Sequence, residues 1–204
     1  MKRLENLISR YPSLKPCEES IRATFEQLAQ SFEAGGRLYI CGNGGSASDA
    51  LHIVGELVKS FVLPRTVDKG FAERVDPELL KNLQGALPAF ALVENVALVS
   101  AYANDVNPDY VFAQQVYAYA RKGDCVLGIS TSGNAPNVLQ ALNAARGRGA
   151  VMLGLTGRDG GKMKELCDAC IVVPETETYK IQELHLPIYH ALCIMLEERF
   201  WGAK

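Results

Sequence analysis

No apolar stretch in this 204-residue chain is long enough to span a bilayer, and no block of Lys or Arg interrupts it. The first absence excludes a transmembrane helix. The second, with 21 basic against 23 acidic residues and a net charge of −2, argues against a nucleic-acid surface, which needs clustered cations to neutralise phosphates. Small anions stay open as partners. The chain has no Gly-Lys-Ser/Thr, which excludes a mononucleotide P-loop, and neither an internal repeat nor a low-complexity tract. Its opening, MKRLENLISRYPSLKPCEES, lacks the apolar region and small-residue cleavage site of a signal peptide. Cysteines number six, most of them inside apolar segments, as in reduced core positions of a cytoplasmic protein. Cys167 and Cys170 form a lone C-x-x-C, which supplies only half of a structural zinc site and reads as core. Only three histidines are present.

A chain that is 48 % hydrophobic and 22 % charged can bury a sizeable core, most simply as one domain over residues 1–204. Short apolar runs bounded by Gly, Pro, Asn or Asp predict strands at Leu38–Cys41, Ala89–Val93, Cys125–Ser130, Val151–Thr156 and Ala169–Val173. Helical patterns fall between them, at Glu18–Ala34, Ser48–Leu63, Val96–Ala103, Tyr110–Arg121, Asn137–Arg146, Gly161–Leu166 and Thr178–Phe200. This alternation predicts an α/β fold, a doubly wound parallel sheet sandwiched by helices, with an N-terminal helical segment (1–36) and a long C-terminal helix. Ligands in such folds collect at the carboxyl ends of the strands. The segment 59–88 is long for a connection, and Asp76-Pro77-Glu78-Leu79-Leu80 reads as a capped helix start within it. It is either a surface embellishment or a cap over the site.

The segment RLYICGNGGSASDALHIVGEL joins two kinds of chemistry. A buried strand breaks into a loop containing Asn43, Gly44, Gly45 and Ser46, whose amides and the following helix dipole can cradle a phosphate. One turn further, His52 and Glu56 stand at i, i+4 on one helix face, about 6 Å apart, a spacing that suits a divalent metal or a proton-transfer pair. After the third strand, Ser130, Thr131 and Ser132 precede another helix and form a second anion-binding design. Two such loops at the ends of parallel strands would face each other across one crevice. The match of Gly42 to Ala47 to a relaxed dinucleotide fingerprint lacks the acidic ribose partner, which sets nucleotides aside. On the last helix, Gln182 and His190 are about 80° apart around the axis but about 12 Å apart along it. Either a bend at Pro187 with long side chains or a neighbouring subunit would close that gap. His185 reads as a packing residue.

Taken together, CGNGGSASDALH with the following Glu-Leu, Asn104-Asp105, GDCVLGISTSGNAPNV, LTGRDGGKM and IQELHLPIYH resemble the phosphoheptose isomerases of the sugar-isomerase (SIS) superfamily. The resemblance runs from about Arg37 to the C-terminus. It implies the SIS fold, a cytoplasmic homotetramer with sites at subunit interfaces, and conversion of sedoheptulose 7-phosphate to an aldoheptose phosphate. Carried over by motif, His52, Glu56, Gln182 and His190 are expected to ligate Zn2+, with Glu56 and His190 as the acid/base pair. The same resemblance implies that Asn43, Gly44, Gly45, Ser46, Ser130, Thr131 and Ser132 hold phosphate and sugar, and that Asn104 and Asp105 meet sugar hydroxyls. Aldose–ketose exchange through an enediol needs a base, a proton donor near oxygen and stabilisation of negative charge, which these residue types supply. The chain departs from the family pattern at Ala135, at Lys59-Ser60 and at Tyr179-Lys180, positions that bear on the choice of sugar. The alternative is a non-catalytic SIS protein that binds sugar phosphate or associates with a replication initiator. Retention of Glu56 and His190 favours the enzyme.

Overall fold

The computed structural model describes residues 2–202. Five apolar runs form one parallel sheet: β1 (Leu38–Gly42), β2 (Ala89–Ala91), β3 (Cys125–Ser130), β4 (Val151–Thr156) and β5 (Ala169–Val172), ordered β2-β1-β3-β4-β5. The helices are α1 (Lys2–Arg10), α2 (Glu18–Glu33), α3 (Gly45–Val58), α4 (Lys69–Ala72), α5 (Pro77–Leu80), α6 (Val96–Asp105), α7 (Val111–Tyr119), α8 (Pro136–Arg148), α9 (Gly161–Leu166) and α10 (Thr178–Trp201).

Strand side chains divide between two cores. Leu38 and Ile40 of β1, Leu127 and Ile129 of β3, and Leu153 and Leu155 of β4 pack with residues of α1, α2, α3 and α10. Tyr39, Cys41, Val126 and Met152 face the other way, toward α7, α8 and α9. Burial on both faces is why these strands are almost continuously apolar. All six cysteines are free; Cys167 and Cys170 pack against the second core. Register places the ends of β1 and β3 side by side, with Gly42 opposite Ile129, so the loops that follow them are neighbours.

Most boundaries fall within two residues of expectation, and those of α3 differ by more. α3 begins at Gly45 rather than Ser48, because Ser46 N–H donates to Asn43 O at 3.0 Å and the chain winds directly from β1 into the helix. It stops at Val58 rather than Leu63: Lys59 is extended, and the amides of Phe61, Val62 and Leu63 donate instead to the carboxylate of Glu197 on α10. β2 ends at Ala91, where Glu94 N–H turns back to Ala91 O. The helix start at Asp76 forms as expected, its carboxylate accepting Glu78 N–H at 2.7 Å with Pro77 in the first turn. Beyond residue 65 the 59–88 segment packs on Trp201: Trp201 Nε1 donates to Thr66 O at 3.0 Å, and Gly85 lies against the indole. That contact is about 28 Å along α10 from Gln182.

Candidate active site

One crevice of about 400 Å³ is lined by Asn43, Gly44, Gly45, Ser46, Ser130, Thr131, Ser132, Ala135, Thr178 and Gln182. The first turn of α3 forms one wall, where helical amides have no intrahelical acceptor and attract an anion. Opposite stands the hydroxyl loop after β3. Asn43 and Asn137 tie the two loops by reciprocal amide bonds of 2.8 and 2.9 Å. α10 enters the crevice at Thr178, and Gln182 lies so close to Gly45 that a Cβ there would be 2.5 Å from its Nε2. The start of α9 holds the hydroxyl loop from behind, with Met163 N–H on Gly133 O at 3.1 Å and Lys162 N–H on Asn134 Oδ1 at 3.1 Å. Gly133 has φ +65°, and a Cβ there would be 2.0 Å from Gly160 O. Gly133→Ala is therefore expected to displace the loop and weaken phosphate binding in the crevice at least tenfold, about 1.4 kcal/mol, measurable by calorimetric titration.

A second group lies further along the seam between α3 and α10. His52 Nε2 is 3.3 Å from Glu56 Oε1 and 3.3 Å from His190 Nε2. Glu56 Oε2 is 3.4 Å from Lys59 Nζ. On its other side, His52 Nδ1 is 3.0 Å from the hydroxyl of Tyr189, which also donates to Asp49 Oδ1 at 3.3 Å. Burial pushes the Asp49 carboxyl up and the His190 imidazole down; the neighbouring His52 lowers His190 further, and Glu56 opposes it. Burial, then Asp49, raises the Tyr189 phenol. Phe61 lies against His190, with ring centroids 5.4 Å apart. Among the described residues, no group of three or more His, Cys, Asp or Glu side chains is arranged to hold a metal ion.

Models described as SIS domain match residues 5–84 and 92–195. The chain is 40 % identical to the phosphoheptose isomerase of Rhodospirillum rubrum over 185 residues, covering 91 % of this chain and 88 % of that one. It is 44 % identical to that of Pelobacter propionicus, over 86 % and 83 % of the two chains. The structure of the Neisseria gonorrhoeae phosphoheptose isomerase superposes with a TM-score of 0.77 at 34 % identity, covering 95 % of this chain and 94 % of that one. This chain belongs to the phosphoheptose isomerases of the SIS superfamily.

Membership makes it an enzyme, a sugar-phosphate aldose–ketose isomerase. Its parallel sheet, N-terminal helix and long C-terminal helix are those of the SIS fold. No helix among the described residues is long and apolar enough to cross a membrane.

In this phosphoheptose isomerase the residues expected at the site fall into two groups. Asn43, Gly44, Gly45, Ser46, Ser130, Thr131, Ser132 and Gln182 share the crevice; His52, Glu56 and His190 form the contact chain beyond it. α10 runs unbroken through Pro187, and no hydrogen bond joins Gln182 to His52 or His190. Asn104 and Asp105 bond to each other at the exposed end of α6 and do not line the crevice. Tyr179 is exposed, and Lys180 pairs with Glu177 at 3.2 Å. Thr178, Asp49 and Tyr189 escaped the sequence pattern, because a threonine at a helix start and a tyrosine on an apolar face carry no distinctive signal.

His185 is fully buried, with Nε2 3.3 Å from Thr156 O and Nδ1 lacking a partner. Burial lowers its pKa from 6.5 to about 4. An unfolded chain therefore binds this proton more readily, so the stability His185 confers is complete above about pH 6.5 and falls as the pH drops toward 4. The loss is expected to reach about 3 kcal/mol, and urea midpoints across that range should show it shrinking in His185→Leu.

Proposed function

We propose that this enzyme interconverts sedoheptulose 7-phosphate and an aldoheptose phosphate in the cytoplasm, by an enediol route assisted by zinc. The observation that carries this reading is the order of groups along one helix seam. α3 and α10 both start at the hydroxyl crevice; His52 lies six residues beyond Ser46 and His190 eight beyond Gln182, about 9 and 12 Å along the helices. A sugar phosphate gripped at its phosphate end by the crevice can extend its carbonyl end toward the imidazoles and carboxylate.

Glu56 takes the proton from the carbon next to the carbonyl and returns it to the neighbouring carbon. His190, held neutral at pH 7 by burial and His52, moves a proton at the oxygen. Ser130, Thr131, Ser132 and the first-turn amides of α3 fix the phosphate and with it the register of the reacting carbons. Two imidazoles and a carboxylate are a donor set whose chemistry suits zinc, and His52 Nε2 meets both of the others, Glu56 Oε1 and His190 Nε2, at 3.3 Å. Zinc held by His52, Glu56 and His190 would polarise the carbonyl; a Gln182 ligand to the same ion would have to come from a neighbouring copy, because within one chain Gln182 lies about 12 Å along α10 from His190.

Assembly as a homotetramer, with sites at the interfaces, would bring a second copy's groups to each site. Its support is an exposed apolar surface beside His52, with Leu51 at 43 %, Val58 at 45 % and Val62 at 48 % accessibility, and an α6 with no buried residue. A coupled assay over a panel of ketose phosphates, with zinc supplied, tests the function. Turnover is expected to be fastest with sedoheptulose 7-phosphate and to fall on chelation. Absence of isomerisation for every sugar phosphate would refute the reading.

A further inference from the structure

We propose that Asn137 is a positioning residue for the phosphate crevice: paired with Asn43, it orients that amide and fixes the gap between the two anion-binding loops. The inference deepens the functional reading above, and rests on it for phosphate in the crevice.

Asn43 lines the crevice, whereas Asn137 stands outside it. Two bonds join them: Asn43 Nδ2 donates to Asn137 Oδ1 at 2.8 Å, and Asn137 Nδ2 donates to Asn43 Oδ1 at 2.9 Å. A reciprocal amide pair looks the same when both groups flip, so by itself it does not decide which end of Asn43 is N–H and which is carbonyl. A third bond breaks that symmetry. The Val138 N–H, in the first turn of α8, lies 3.0 Å from Asn137 Oδ1 and needs an acceptor there. Oxygen therefore faces Val138, which puts Asn137 Nδ2 on Asn43 Oδ1 and leaves Asn43 Nδ2 with one proton spent and one free for a ligand. Among the described residues, the Asn43 side chain bonds to nothing else, so Asn137 alone sets its orientation.

The footing of this latch is rigid. Val138 is fully buried, and its Cγ1 would be 2.7 Å from a Cβ on Gly128 of β3, so α8 starts hard against the sheet. The opposite loop has more freedom. Gly44 and Gly45 are exposed, Gly44 with φ +55°, and glycine restricts the backbone less than any other residue. The amide pair ties that loop to α8 directly after β1, which keeps the amides of one loop and the hydroxyls of the other in reach of the same anion.

Inorganic phosphate, titrated while the backbone amides of Gly44 to Ser46 are followed by NMR, reads the latch directly. Asn137→Ala should raise the dissociation constant about three- to tenfold, and Asn43→Ala at least as much. The double variant should bind no more weakly than Asn43→Ala, because the two side chains act as one unit. Asn137→Ser, which keeps an oxygen for the Val138 N–H but gives up the reach to Asn43, should bind as weakly as Asn137→Ala. With sedoheptulose 7-phosphate the loss should fall on KM and leave kcat near the wild-type value, since Glu56 and His190 lie beyond the crevice. Unchanged phosphate affinity in Asn137→Ala, recovery in Asn137→Ser, or single losses that multiply in the double variant overturns the proposal. A wild type and variants that show the expected phosphate ratios, yet no turnover of sedoheptulose 7-phosphate, uphold the latch and remove that sugar from the functional reading instead.

Discussion

Glu56→Gln is expected to lower kcat by about 10²–10⁴-fold, the scale set by a positioned general base, while KM moves little. An amide of the same shape can still contact His52 but cannot take a proton from carbon. The crevice that grips the phosphate is built by other residues, Asn43 to Ser46 and Ser130 to Ser132, so the binding end of the substrate should be untouched. His190→Ala should act on the same parameter. Steady-state kinetics on sedoheptulose 7-phosphate make the distinction: a raised KM with kcat preserved would reduce Glu56 to a binding residue.

The largest stability effect is expected at Glu197. Its side chain and that of Arg65 are both fully inaccessible, and Arg65 Nε meets Glu197 Oε1 at 2.7 Å. The same carboxylate accepts the amides of Phe61 and Val62 at 2.8 Å and Leu63 at 3.0 Å. Burial alone would raise the Glu197 carboxyl; the bonds from Phe61, Val62 and Arg65 outweigh it and hold the group below the usual carboxylate range. Removing one partner of a buried pair leaves an uncompensated charge and costs about 3–5 kcal/mol, so Glu197→Ala should shift the urea midpoint by that amount. An apolar replacement of both partners cannot restore the loss, because three backbone donors would remain without an acceptor. The effect reaches the site: Arg65 donates to the carbonyls of Glu56 at 2.7 Å and Leu57 at 2.6 Å, and so caps the end of the helix that carries Glu56.

Much of the fold was legible because its signals are local. Cys125–Ser130 and Val151–Thr156 are short apolar runs between turn residues, and their strands begin and end where that pattern does. The two loops line one crevice, as adjacent parallel strands leave their following loops little choice. What stayed hidden depends on distant partners. The end of α3 at Val58 is decided by a carboxylate 139 residues away, and helix periodicity through Leu63 gives no hint of it. α10 continues through Pro187 as one helix, with Gln182 in the hydroxyl crevice and His190 against His52, and spacing along the helix leaves open whether a bend or a second copy would bring the two together. The contacts of the Tyr189 hydroxyl with Asp49 and His52 need two helices side by side, which no spacing along one helix reveals.

Deuterium uptake from heavy water tests the catalytic account most directly. The wild-type enzyme, incubated with sedoheptulose 7-phosphate, should incorporate solvent deuterium at the carbon beside the carbonyl, and Glu56→Gln should bind the same sugar phosphate without exchange. Exchange that persists undiminished in both Glu56→Gln and His190→Ala would contradict it.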